Sequence, residues 1–381
     1  MQFGVPVAKR PFHWNSQQIQ WNSGGEDGNP VDLAFGVVSD DHGFVVSRDP
    51  ADAPLFTMTG NELITGKRPD VGGAPFIVLG PKSSHLRIMG PTLDRAGGTG
   101  FFRLDADGVL RDLTFTDIHA RNVGRAIECA RGTAIDGLMV ERCTARGLVR
   151  GFARFHALRE AEFRDLDLDA NYLDGGGGAV CQVISVVAGT DLTFRNMRLA
   201  KAVNSLAAEE RGSPYIQGDG LVLEQDTGDV RIENCHAEDM GDGGFDLKSR
   251  GVRMYDCSAT RCKLGIRIWS HDPANVIERC VVTEPTKKPV NDGACLWLAG
   301  TLTAQECHLA ATQDMSPIRF GKGQNGREDA RLKIKGGEII MTDGVSLATG
   351  AAGLIELENV SVNGMDTSGR FRWTGSRLQR A

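Results

Sequence analysis

Several things are scarce in this chain of 381 residues. Aromatic residues make up only 6% of it, and no apolar run reaches the length of a membrane span, about 18 residues or more. No CxxC pair occurs among the nine cysteines, which argues against a zinc site. No heptad pattern is present to enforce an oligomer. The first residues, MQFGVPVAKRPFHW, lack the basic-then-apolar pattern of a secretory signal. Positive charge is also short: the net charge of -6 argues against a general nucleic-acid binder. An anionic ligand would have to be held by a local basic patch or by a metal.

Glycine, by contrast, is abundant at 48 residues, which suits many turns and short strands and does not suit a helical protein. Three stretches share one grammar. Gly220-Leu221-Val222-Leu223-Glu224 lies over Gly244-Phe245-Asp246-Leu247-Lys248 and then over Gly265-Ile266-Arg267-Ile268-Trp269. The period of two marks strands with one buried face. Leu221, Phe245 and Ile266 point inward, as do Leu223, Leu247 and Ile268. Val222, Asp246 and Arg267 form one outward column, with Glu224, Lys248 and Trp269 in the next.

A strand-like unit ending in a polar residue and then a small or apolar one recurs along the chain. Its last residues are Ile118, Cys143, Leu166, Met197, Cys235, Cys257, Cys280, Cys307 and Val360, with Gly337 filling the long gap before the last. The spacings are 25, 23, 31, 38, 22, 23 and 27, then 30 and 23. Their floor predicts an all-β solenoid: a right-handed parallel β-helix of about 22-residue coils, stacked about 4.8 Å apart. Larger spacings are loop insertions, the largest being 201–220 and 283–293. The GGGG run at 175–178 reads as a mobile loop or a tight turn. Residues 1–75 are less regular and read as the N-terminal cap and first coils, 76–365 as the β-helix, and 366–381 as a C-terminal cover over the exposed strand edge. Cys143, Cys235, Cys257, Cys280 and Cys307 share one repeat position, so they read as a stack of buried thiols rather than disulfides.

The outward positions carry the candidate chemistry. Asp219, Asp242 and Asp246 come from adjacent coils and converge. Oxygen ligands in that number suit calcium. With Glu224 they equally suit an acid and base pair for glycoside hydrolysis. Six basic residues, Lys248, Arg250, Arg253, Arg261, Lys263 and Arg267, form a cluster in an otherwise acidic protein. It suits an acidic polysaccharide whose carboxylate must be neutralised. Trp269 over Trp297 offers a flat apolar surface for a sugar ring. Tyr215, Glu224, His271 and Arg319 complete the expected substrate-binding set.

The repeats, and GDGGFDLKS in particular, resemble the right-handed β-helix polysaccharide lyases, and among them polysaccharide lyase family 9, calcium-dependent pectate lyases with a lysine base. That family carries an Asp-Asp-Gly-Phe-Asp type motif with another calcium aspartate about one coil earlier. Asp242 and Asp246 match the outer aspartates of the motif, and Asp219 the earlier one. Gly243 stands where the family has its middle aspartate. Arg267, in GIRI, stands where it has its base. The resemblance therefore implies Ca2+ at Asp219, Asp242 and Asp246, and β-elimination on a uronate polymer with Asp246 in the catalytic set. Arg267 is then the base and Lys248 its substitute. The repeats carry the likeness over 76–365, the motif only over 219–267. A glycoside hydrolase, a uronate C5-epimerase or a non-catalytic carbohydrate-binding β-helix would use the same scaffold. Any of these is expected to work outside the cytoplasm, secreted or periplasmic.

Overall fold

The computed structural model describes residues 102–174, 180–204, 215–288, 293–312, 314–322 and 329–381, together with the backbone of short strands before residue 102. The GGGG run and residues 205–214, half of the 201–220 insertion, lie outside the described residues. No helix occurs among the described residues. The chain turns through three strand segments per coil, and each segment pairs in parallel with its counterpart one coil on. The first stack runs through Phe102–Leu104, Ile127–Cys129 and Ala153–Phe155. It continues through the starts of the long strands Gln182–Ala200 and Asp219–Glu238. Gly243–Leu247, Leu264–Ile268, Ala294–Leu298, Ile318–Phe320 and Ala348–Gly350 extend it.

The repeat positions coincide with the observed register. The residue following each repeat end pairs with its counterpart one coil later, from His119 with Thr144 through to Glu338 with Ser361. The residue preceding each repeat end turns the corner in the left-handed region. Asp117, Arg142, Asp165, Asn196, Asn234, Asp256, Arg279, Glu306 and Asn359 all have φ between 49° and 56°. Asn and Asp tolerate that conformation best among non-glycine residues. The side chains also stack: Asn234 Nδ2 donates to Asn196 Oδ1, and Asn196 Nδ2 to Asp165 Oδ1, both at 2.9 Å.

The core is a continuous apolar column inside the coils. Phe163 stacks on Phe194 with ring centroids 5.0 Å apart. All nine cysteines are buried and free. At the N-terminal end the pairing turns antiparallel, Ile19–Gly24 with Pro30–Phe35 and that strand with Ile77–Leu79. At the other end Met365–Trp373 folds back antiparallel on Gly353–Val362. These antiparallel strands occupy edges that a parallel stack leaves open.

The corner ladder yields a stability prediction. Asn234→Val puts a β-branched side chain at φ 49° and is expected to cost about 1–2 kcal/mol in urea unfolding. Asn234→Gly should lose less. Equal stability of the valine variant and the parent would show that the corner is not constrained.

Candidate functional site

Alternation on the first stack delivers one outward residue per coil. In register these are Glu128, Arg154, Ser185, Val222, Asp246, Arg267, Trp297 and Arg319. Glu128, Arg154, Ser185, Asp246 and Arg267 of this column floor part of a groove of about 830 Å³. Of the expected site residues, Tyr215, Asp219, Glu224, Asp242, Asp246, Lys248, Arg267 and Trp269 all line it. His271, Trp297 and Arg319 do not line this cavity, although Trp297 and Arg319 stand in register with Arg267.

At its centre one guanidinium faces three carboxylates. Arg267 Nη1 lies 3.1 Å from Asp242 Oδ2, 3.5 Å from Asp246 Oδ2 and 3.9 Å from Asp219 Oδ1. Tyr215 donates its hydroxyl to Asp242 Oδ2 at 2.7 Å, and Trp269 Nε1 donates to Asp246 Oδ1 at 2.7 Å. The amide of Gly243 donates to Asp219 Oδ1 at 2.8 Å. Lys263 packs its ammonium 3.7 Å from the centre of the Tyr215 ring and 3.5 Å from Asp242 Oδ1. Lys248 pairs with Glu224 Oε2 at 2.7 Å and sits 3.7 Å from Asp246 Oδ2.

Pointing outward from the coil does not expose these residues to solvent. Asp219, Asp242, Asp246 and Arg267 are between 3% and 9% exposed, and Lys263 only 1%. Removing Arg267 would strand three buried carboxylates, a change of the kind that costs about 3–5 kcal/mol. The basic cluster also disperses. Arg250 and Arg253 belong to Arg250–Tyr255 on the second segment of the coil, exposed. Arg261 turns a corner and pairs with Asp239 at 2.7 Å. Of the six only Lys248, Lys263 and Arg267 reach the site. The tryptophans do not form a flat platform either: their rings are 4.3 Å apart but inclined at 49°. The Arg267 guanidinium carbon sits 5.2 Å and 5.4 Å from the two ring centres, so the pair flanks that arginine.

Charge and burial set the protonation pattern. Burial, reinforced by Asp242 and Asp246, pushes the Asp219 carboxyl up to about 8. Burial works against the charge on Arg267, but the attraction of Asp246, Asp242 and Asp219 prevails and holds it above its ordinary range. Burial and then Asp242 raise the Tyr215 hydroxyl, and burial lowers the Lys263 ammonium. A count of charge agrees. Asp219, Asp242, Asp246 and Glu224 face Lys248, Lys263 and Arg267, so a proton on Asp219 balances the set.

The three aspartates do not fit a calcium ion in this arrangement, because the Arg267 guanidinium already stands among them. Among the described residues no group of three His, Cys, Asp or Glu side chains is arranged to hold a metal. A Cβ at Gly243 would lie 3.0 Å from Asp219 Oδ1 and 3.2 Å from Arg267 Cδ, so a side chain there would need both neighbours to give by a few tenths of an ångström.

Sequence reading missed the N-terminal half of the groove, lined by Arg125, Glu128, Arg150, Arg154, Gln182 and Ser185. The signal was available. Ile127-Glu128-Cys129 and Ala153-Arg154-Phe155 follow the same alternation as the three central stretches.

No model of a known protein family matches the chain, and no curated protein matches it in sequence. The expected membership of polysaccharide lyase family 9 therefore gains no support there. Similar solved structures include the catalytic domain of a GH87 α-1,3-glucanase variant in complex with tetrasaccharides. Its TM-score is 0.37 at 11% identity, over 91% of this chain and 82% of that one. The endo-xylogalacturonan hydrolase from Aspergillus tubingensis gives 0.32 at 13% identity, over 75% and 84%. Both likenesses are distant, and the reading below rests on the geometry of the site.

Two measurements follow. Calcium, and equally a chelator, should leave the melting temperature unchanged; a calcium-dependent rise would restore the metal site. Between the ordinary carboxylate range and about 8, the folded chain holds a proton on Asp219 that the unfolded chain has released. Asp219 therefore makes stability fall as pH rises through that window, by up to about 1.4 kcal/mol per pH unit. Asp219→Asn should flatten this fall in urea unfolding followed across the window, and an unaltered slope would mean that Asp219 is ionised throughout.

Proposed function

We propose that the chain is a glycoside hydrolase that cleaves a polysaccharide lying along this groove. The observation that carries the reading is the convergence of three buried carboxylates on the Arg267 guanidinium. It places a carboxyl whose proton burial favours, Asp219, near a second carboxyl, Asp246, that Trp269 and Arg267 hold, and glycosidic cleavage needs such a pair. Asp219, protonated, donates its proton to the leaving glycosidic oxygen. Asp246, oriented by Trp269 and Arg267, is the partner, acting on the anomeric carbon or on a water. Asp242 is held by Tyr215, Lys263 and Arg267 and keeps the cations in place. The right-handed sense expected of the coils belongs to this proposal, supported by the general handedness of parallel crossovers. So does action outside the cytoplasm, which suits a polymeric substrate.

β-Elimination is the second reading. Lys248 favours it, being an amine that lines the groove beside Asp246. It ranks lower because the Lys248 amine, as the base, is already engaged, by Glu224 at 2.7 Å and Asp246 at 3.7 Å, instead of being directed at a substrate carbon. Arg267, held charged by three carboxylates, is worse suited to that role. A C5-epimerase would meet the same obstacle.

Incubation with a polysaccharide panel should release reducing ends without an unsaturated, ultraviolet-absorbing product. Asp219→Asn and Asp246→Asn should each lower kcat about a hundredfold or more. An absorbing product that survives Asp219→Asn and vanishes in Lys248→Ala would put the lyase first. Binding without any product would leave a carbohydrate-binding protein.

A further inference from the structure

We propose that the N-terminal half of the groove is a subsite for an anionic substituent, a carboxylate or a sulfate ester, on a sugar unit away from the bond that is cut. The proposal rests on the hydrolase reading for the place of the cut, and on the arginines for everything else.

Arg125, Arg150 and Arg154 line the same cavity as Asp219 and Asp246. One carboxylate, Glu128, accompanies them, and Arg125 takes it in an ion pair. Arg125 is 5% exposed and also donates through Nη2 to the carbonyl of Arg150 at 2.9 Å. Its buried Nε has no partner, and neither has the buried Nε of Arg154.

The contrast with the rest of the surface is informative. Arg142, Arg159, Arg164, Arg198, Arg261 and Arg279 each reach a carboxylate on the same or a neighbouring coil. Among the described residues Arg150 and Arg154 reach none. Arg111, Arg121, Arg131, Arg250 and Arg253 also form no ion pair among those residues, but of these seven only Arg150 and Arg154 line the groove. The N-terminal end of the groove thus holds three arginines against the one carboxylate of Glu128. Guanidinium groups suit planar or tetrahedral oxyanions through paired N–H donors.

The register sets the separation. Arg154 pairs with Ser185, Ser185 with Val222 and Val222 with Asp246. That is three strand spacings, about 14 Å. The two intervening side chains are short and uncharged. The anion recognised here therefore belongs to a different sugar from the one attacked.

Affinity electrophoresis in gels carrying dextran, carboxymethyl-dextran or dextran sulfate varies the charge on one backbone. The protein's own net charge of -6 opposes non-specific attraction to the two polyanions. The unmodified protein should be retarded by at least one polyanion and not by dextran, and which polyanion decides between carboxylate and sulfate. Arg150→Ala/Arg154→Ala should weaken that retardation about tenfold to a hundredfold with unchanged melting temperature. Arg154→Lys, which keeps the charge, should fall between. Asp219→Asn should bind the polyanion like the parent, so a failed hydrolase reading and a failed anion subsite give different results. Equal retardation by neutral dextran, no retardation by either polyanion, or full polyanion binding by the double variant would overturn the proposal.

Discussion

Everything in this molecule depends on in-register parallel pairing between successive coils. Once a strand is bonded to its counterpart one coil earlier, its outward residue has no freedom about which column it joins. Leu221, Phe245, Ile266, Leu296 and Ile318 stay inside because Val222, Asp246, Arg267, Trp297 and Arg319 stay outside. Successive residues of the outward column are therefore more than twenty positions apart in sequence, with backbone hydrogen bonds fixing their order.

On that frame the chemistry is a problem of buried charge. Three aspartates brought together in low dielectric repel one another, and the chain meets this with Arg267, with the Gly243 amide and with a proton on Asp219. Lys263 and Tyr215 perform the same service for Asp242 from the other side. The Asp219 proton is held first by burial and then by the nearby aspartates, so it responds to any change in either.

Most of the frame was legible in the sequence. The repeat ends from Ile118 to Val360 marked the register, because a polar residue such as Asn196 or Asn234 able to turn in the left-handed region must precede each one. The alternation in GFDLK and GIRIW put Asp246 and Arg267 side by side. What alternation does not encode is depth. It distinguishes inward from outward, but whether an outward residue meets solvent depends on neighbours such as Tyr215, which arrives from an insertion with no period of its own. Nor does it encode where a long side chain reaches. Arg250 and Arg253, close to Lys248 in sequence, lie across a corner from it, whereas Arg154, almost a hundred residues from Asp246, shares its groove.

The corner ladder has one more consequence. Because every coil closes on the same left-handed turn and bonds alike to the coil on either side, a whole coil could be gained or lost without disturbing its neighbours. Distances along the groove can then change only by whole strand spacings. The gap between the arginine end and the carboxylate end works as a ruler with fixed divisions, so related chains with a coil more or fewer would differ stepwise in the length of polymer they span.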